Sequence, residues 1–177
     1  MKTFLKKCSV VLAVLMLVLA LGACSNNSSQ GGNTNDSSTN GDIGHTFSTM
    51  FFDYTVNSVE CPAEYDGYTA GDGNKLLVVN VSVKNDFGSE LPMYDTDFVL
   101  FWGDGSNGEY SWAVDAFNDK MMPLEWSLPN KDTATYDMLF EVPADKTEFS
   151  LSYLEEYTDR NGDDQTGDWY DAMFTVE

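Results

Sequence analysis

An acidic stretch near the C-terminus has the residue types and spacing that come nearest to a metal site. Asp159, Asn161 and Asp163 occupy positions 1, 3 and 5 of a calcium-loop pattern. The pattern then departs from the standard one, because position 6 is Asp164 where glycine belongs and position 12 is Tyr170 where glutamate belongs. One prediction is a weak calcium site, and the alternative is a hairpin turn built from residues that tolerate turn dihedral angles. The candidate calcium ligands are Asp159, Asn161, Asp163, Asp164 and Asp168.

Residues suited to acid–base or nucleophilic catalysis are scarce. His45 is the single histidine, and it lies at the edge of a polar N-terminal tract. A Ser-His-Asp or Cys-His set therefore has no plausible base, and neither a zinc-ligand spacing nor a Gly-rich phosphate loop occurs. Carboxylates are abundant, and a pair of them that hydrolyses a wall polymer is an alternative. Such a pair is identified by the distance between its two carboxylates, which the sequence does not give. The main prediction is a protein without catalytic activity.

The N-terminus has the organisation of an export signal. Residues 1–7 include three lysines, residues 8–19 are almost unbroken apolar sequence, and Leu21-Gly22-Ala23-Cys24 follows with small residues. The apolar run is shorter than the roughly 20 residues that a membrane-spanning helix needs. The segment Leu21-Gly22-Ala23-Cys24 resembles the lipobox of bacterial lipoproteins. In that motif the cysteine thiol takes a diacylglyceryl group, the cysteine becomes the new N-terminus, and palmitate is added later. The resemblance implies that residues 1–23 are removed and that Cys24 is lipidated on the extracellular face of the cell membrane.

Residues 24–44 contain Ser, Asn, Gly and Thr with hardly an apolar side chain, which predicts a flexible tether. The chain from Cys24 onwards carries six basic and 29 acidic residues, a net charge of −23. Such a charge excludes nucleic-acid binding and favours cationic partners.

Cys61 is the one free thiol of the predicted mature chain, because Cys8 is removed with the signal peptide and Cys24 is lipidated. No intramolecular disulfide can therefore form. Beside Pro62, Cys61 is predicted to be a half-buried small hydrophobic residue.

Residues 45–177 contain short stretches of alternating apolar and polar residues, separated by turn residues. This pattern predicts a single all-β domain, an antiparallel sandwich of seven or eight strands. Between two of the stretches, Asp115 is placed to cap one helical turn ending before Pro123. The predicted strands are residues 47–59, 75–85, 97–102, 109–114, 133–142, 147–154 and 169–176.

Several motifs resemble a family of Gram-positive lipoproteins of unknown function. The similar stretches are Thr49-Met50-Phe51-Phe52-Asp53-Tyr54, Gly73-Asn74-Lys75-Leu76-Leu77-Val78-Val79 with Val83-Lys84-Asn85, Leu91-Pro92-Met93-Tyr94, and Leu139-Phe140-Glu141-Val142-Pro143. The resemblance implies an immunoglobulin-like sandwich akin to that of a secreted mycobacterial immunoprotective antigen. It brings no catalytic residues. Members often carry glycine in the turn where this chain has Asn130-Lys131.

Aromatic residues are frequent, and they include Trp102, Trp112, Trp126 and Trp169. Large rings suit the core between two sheets, whereas an exposed platform would suit a glycan or peptide ligand. Core packing is the favoured interpretation, also for the Met121-Met122 pair. The sequence therefore predicts a lipid-anchored module that binds an unknown protein, peptide or cell-wall partner. Calcium-dependent adhesion and polymer hydrolysis are the alternatives.

Overall fold

The computed structural model describes residues 41–103 and 109–177. These residues form ten strands and one turn of 3-10 helix at Asp95–Asp97. The predicted signal peptide, Cys24 and most of the predicted tether lie outside the described residues. The strands are β1 (Thr46–Ser48), β2 (Phe52–Glu60), β3 (Asn74–Asn85), β4 (Leu91–Tyr94), β5 (Phe98–Trp102), β6 (Tyr110–Ser111), β7 (Glu125–Leu128), β8 (Thr133–Pro143), β9 (Glu148–Thr158) and β10 (Asp164–Thr175).

The strands form two four-stranded sheets and one small ribbon. The first sheet has the order β1-β2-β3-β8, the second has the order β10-β9-β5-β6, and β4 pairs with β7. Every one of these pairings is antiparallel. The predicted all-β antiparallel sandwich is therefore confirmed. The strand number exceeds the prediction because the first predicted strand is broken at residues 49–51 and because β4 and β7 were not foreseen.

The main core lies between the two sheets and follows the period-two alternation of the strands. The apolar face of β3, with Leu77, Val79, Val81 and Val83, is fully buried, as the sequence predicts. The second sheet contributes the inward residues of β5, β9 and β10. Met122 belongs to this core as well, which confirms its predicted role. The inward residues of the second sheet are Phe98, Leu100, Trp102, Phe149, Leu151, Tyr153, Ala172 and Phe174.

A second, smaller apolar cluster lies on the opposite face of the first sheet. Leu76, Val78 and Leu139 are buried there together with Met121. The chain after β6 hydrogen-bonds along the edge of β8, since the Val114 N–H donates to the Leu139 carbonyl at 2.7 Å. β3 is therefore apolar on both faces at this end of the sheet.

Two local predictions are wrong. Residues 115–123 form no helical turn, because the backbone N–H groups of Val114 and Met122 donate to the edge of β8 instead. Cys61 is exposed, because it follows the last residue of β2 and lies beyond the sheet.

The turn before β8 has the unusual backbone that the family resemblance singles out. Lys131 adopts a φ of 70°, in the left-handed region that favours glycine. Its N–H donates to the Asn85 carbonyl at 2.9 Å. Its ammonium group also contacts Asp86 Oδ1 at 2.9 Å. These contacts hold Lys131 in a backbone conformation that favours glycine.

Candidate functional site

Four aromatic side chains cross the outer face of the second sheet. We call Trp169, Phe101, Tyr110 and Trp112 the aromatic row. The register pairs Phe101 of β5 with Tyr110 of β6, so both side chains lie on the same face. Trp169 is two residues before Asp171 on β10, which places it on the outer face.

The rings of the aromatic row form an unbroken series of contacts. Ring centroids lie 5.8 Å apart for Trp169 and Phe101, 5.9 Å for Phe101 and Tyr110, and 5.1 Å for Tyr110 and Trp112. The ring planes meet at 55°, 46° and 90° respectively. The row is therefore a ridged surface rather than a flat platform.

The exposed carboxylate of Asp171 holds Trp169 in position. Asp171 Oδ1 accepts hydrogen bonds from Trp169 Nε1 at 2.6 Å and from Ser152 Oγ at 2.5 Å. Ser152 is buried on the outer face of the sheet, although it is polar. The indole of Trp169 also contacts the ring of Phe101. Asp171 thus fixes the orientation of the exposed indole.

The large rings of the aromatic row are exposed to solvent, although an isolated domain is expected to bury such rings in its core. Trp169 is 49% exposed, Trp112 is 44% exposed, and Tyr110 is 37% exposed. Met173, on the same face of β10, is 61% exposed. Acidic groups flank the row at Asp171 and at Glu109, whose carboxylate lies 3.6 Å from the ammonium group of Lys146. The surface combines exposed aromatic area with negative charge.

The tryptophans do not all follow the predicted core packing. Trp102 is buried and Trp126 is half-buried, which agrees with that interpretation, but Trp112 and Trp169 are exposed. Phe101 and Tyr110 were not foreseen as surface residues. Strand parity could have revealed part of the row, because Phe101 alternates with the inward Leu100 and Trp102.

Glu155 positions the segment that carries Trp169. Its side chain is only 3% exposed, and it accepts hydrogen bonds from the Met50 N–H at 2.6 Å, the Asp168 N–H at 3.1 Å and the Tyr170 hydroxyl at 3.1 Å. Asp168 lies in an irregularity of the β9–β10 ladder between Thr166 and Trp169. Burial by itself raises the pKa of Glu155, but the three hydrogen bonds outweigh it and hold the pKa below its ordinary value.

The predicted calcium ligands lie in the β9–β10 hairpin. Asp159 Oδ1 accepts hydrogen bonds from the N–H groups of Asn161 at 2.8 Å and Asp163 at 3.0 Å. These contacts form an Asx-type turn and hold the pKa of Asp159 below its ordinary value. Asp164 begins β10, and Asp168 lies apart from the turn, at the ladder irregularity. In residues 41–103 and 109–177, no group of three or more His, Cys, Asp or Glu residues is arranged to hold a metal ion.

An Asx turn satisfies its own hydrogen bonds without a cation, so adding millimolar calcium is expected to leave the melting temperature of the protein unchanged. Differential scanning calorimetry with and without calcium would measure this. Magnesium at the same concentration is the control for ionic strength. A rise seen with calcium alone, and lost in Asp163→Asn, would establish the predicted calcium site instead.

An acidic recess of about 430 Å³ lies on the outer face of the first sheet. Glu60, Glu64, Asp66 and Asp137 line it. Both oxygens of Asp137 are already engaged, by the Tyr65 hydroxyl at 2.8 Å and by Asn80 Nδ2 at 2.7 Å. The Tyr65 bond joins the connection after β2 to β8, and the Asn80 bond joins β3 to β8. Polymer hydrolysis at paired carboxylates stays a prediction.

The fold resembles two solved structures from Bacillus subtilis. A "putative lipoprotein (ycdA)" shares 23% identity with a TM-score of 0.51, over 72% of this chain and 38% of that one. The yjhA protein shares 19% identity with a TM-score of 0.53, over 64% of this chain and 81% of that one. This chain therefore spans 38% of the length of ycdA. At these identities the likeness concerns the fold. No match was found among proteins with curated descriptions.

A family model identifies most of the folded region. The family is described as "Domain of unknown function (DUF4352)", and its model matches residues 41–162. The match covers more than half of the chain and takes in β1 to β9, so the predicted resemblance to a family of unknown function is confirmed. Trp169 and Asp171 follow the matched range. The chain belongs to the DUF4352 family.

Proposed function

We propose that this protein is a non-catalytic binding module, held at the extracellular face of a cell membrane by lipid on Cys24. The aromatic row is its contact surface, and its ligand is a cationic protein. The row offers the side chains that carry most of the energy in protein interfaces, because Trp and Tyr anchors combine large apolar area with few rotatable bonds. The exposure of Trp112 and Trp169 is the observation that carries this proposal.

Two features favour a cationic protein over a glycan. The ring planes of the row meet at 46° to 90°, so neighbouring rings do not share the flat surface that successive sugar rings would stack upon. The negative charge of −23 from Cys24 onwards attracts Lys and Arg side chains. Such side chains also bind the faces of exposed indoles and phenols through cation–π contacts.

The membrane location is supported by the N-terminal sequence. A positive segment, an apolar run and Leu21-Gly22-Ala23-Cys24 occur in the order of a lipoprotein signal. The ycdA chain, of which this chain spans 38%, is described as a "putative lipoprotein". The part of the chain that the structure describes contains no helix able to cross a membrane. Lipid on Cys24 supplies enough acyl chains for stable attachment.

Replacing Cys24 with serine is expected to move the protein out of the membrane fraction, because the lipid acceptor is lost. Cell fractionation with immunoblotting would measure the shift, and mass spectrometry of the wild-type N-terminus would show the mass of the added lipid. Cys61→Ser is the matched control, since it removes a thiol outside the signal. A wild-type protein with an unmodified N-terminal methionine in the cytosol would contradict the proposed location.

The double substitution Trp112→Ala and Trp169→Ala is expected to abolish partner binding, with a loss of about 100-fold or more in affinity, since two anchor residues are removed. Photo-cross-linking of the full-length protein on intact cells would identify the partner in the wild type. Binding of that purified partner would then be measured in both variants. Phe117→Ala removes an equally exposed ring outside the row and is the control.

Wild-type binding should also weaken as salt rises, because charge contributes to the attraction. A partner that binds the double variant as tightly as the wild type would overturn the assignment of the aromatic row. Cross-linking to wall glycan instead of protein would overturn the assignment of the ligand.

A further inference from the structure

We propose that the free edge of β10 receives an extended segment of the cationic partner as an added antiparallel strand. This inference rests on the proposed function and states how the partner docks beside the aromatic row. Strand addition to a sheet edge uses main-chain hydrogen bonds for affinity and alternate side chains for specificity.

β10 is an edge strand, because β9 pairs with only one of its sides. At Met173 the other side is already used. The Asp42 N–H donates to the Met173 carbonyl at 2.7 Å, and the Met173 N–H donates to Asp42 Oδ2 at 2.9 Å. Outward backbone groups recur at every second residue of an antiparallel strand, so those of Asp171 and Trp169 also face away from β9. Among the described residues, nothing hydrogen-bonds to these groups.

The contact at Asp42 demonstrates that this edge accepts an additional segment. Gly41 permits the approach, because its φ is 65° and a Cβ there would collide with the Met173 carbonyl. In the described chain, this segment covers the edge only at Met173. Residues 164–166 and 169–171 of β10, on either side of the ladder irregularity, thus offer the remaining length for an incoming strand.

Charge identifies the occupant. Residues 159–171 contain five aspartates and one basic residue, Arg160. A second copy of the chain would place these aspartates against one another, which disfavours pairing between identical edges. A basic segment would instead meet opposite charge along the whole edge. Asp171 has one carboxylate oxygen committed to Trp169 and Ser152, and Oδ2 accepts nothing from the described residues.

The pairing geometry fixes where the basic residue lies. A residue directly opposite Asp171 directs its own N–H towards β10 and places its side chain on the outer face. A Lys or Arg there would contact Asp171, and its stem would lie beside the exposed indole of Trp169. The partner segment therefore carries basic residues at alternate positions, with their N–H groups facing this domain.

Three synthetic peptides test the inference on the full-length protein. The parent peptide alternates Lys and Val, and two derivatives carry backbone N-methyl groups either on every Lys or on every Val. Methylation on Val blocks the edge that faces away from β10, so affinity close to that of the parent is expected. Methylation on Lys removes the N–H groups that face β10, and a loss of about tenfold or more is expected. Isothermal titration calorimetry would measure all three.

Chain variants separate charge from strand addition. Asp171→Asn keeps an acceptor for Trp169 and Ser152 but removes the charge, so it should weaken the parent peptide about fivefold. Asp145→Asn, an exposed residue at another part of the surface, is the control. Equal binding of the three peptides, or no binding of the parent, would overturn strand addition. If the cross-linked partner still required Trp112 and Trp169, the proposed function would survive that result.

Discussion

Replacing Glu155 with alanine is expected to lower the free energy of unfolding by about 3–5 kcal/mol. The side chain is 3% exposed, and it accepts hydrogen bonds from two backbone N–H groups and from the Tyr170 hydroxyl. Its removal leaves these partly buried donors without their acceptor and opens a cavity beneath β10. Urea denaturation of the full-length protein, followed by tryptophan fluorescence, would measure the loss.

The neighbouring positions supply matched controls. Glu155→Gln keeps one acceptor oxygen and should cost about 1–2 kcal/mol, whereas the exposed Glu156→Ala should change stability by less than about 0.5 kcal/mol. The pKa of Glu155 lies below its ordinary value in the folded state. Its contribution is therefore present above the ordinary glutamate pKa and is lost as the pH falls through the lower, folded-state pKa. A Glu155→Ala protein as stable as the wild type would contradict the role of this contact.

Asp97→Asn is expected to raise the free energy of unfolding at pH 7 by about 2 kcal/mol. Burial raises the pKa of Asp97 to about 6, and the nearby carboxylates of Asp95 and Glu156 add to this, although the N–H of Tyr94 donates to Asp97 at 2.8 Å. The charged form is therefore disfavoured in the folded protein at neutral pH. Asparagine retains an oxygen acceptor for Tyr94 and carries no charge.

The same group predicts how stability depends on pH. The folded-state pKa of Asp97 lies above the unfolded value of 3.8. As the pH falls, the carboxylate of Asp97 is therefore protonated in the folded protein at a higher pH than in the unfolded chain. Its contribution makes the wild type more stable as the pH falls from 7 towards 4. Burial also raises the pKa of Asp95, which acts in the same direction. Thermal melts from pH 4 to 7 should show this slope in the wild type and a smaller slope in Asp97→Asn. Equal slopes in the two proteins would contradict it.

Alternation in the sequence predicted the strand faces correctly, because successive side chains of a strand point to opposite faces of the sheet. Leu77, Val79 and Val81 could be placed in the core from their spacing alone. Leu76 and Val78 could not be placed, because their burial depends on Met121 and on the chain before β8, distant in sequence. Local pattern carries no information about such covering segments.

The candidate surface illustrates the same division. Trp112 and Trp169 are visible in the sequence as large rings, but their exposure depends on which face of the second sheet remains uncovered. Phe101 and Trp169 come into contact only because β5 and β10 both pair with β9. The position of Trp169 depends further on Asp171 and on the ladder irregularity held by Glu155.

The sequence by itself determined the all-β class, the inward faces of most strands, the strong negative charge and the family resemblance. These properties depend on composition and on neighbouring residues, which a single chain displays directly. Only the tertiary structure decided which aromatic rings meet at the surface, which carboxylate is buried, and which strand edge stays open. Each of these depends on hydrogen-bond register and packing between strands that are far apart in sequence. The local spacing of residues does not specify which distant strands pair, so it does not determine which packing has the lowest free energy.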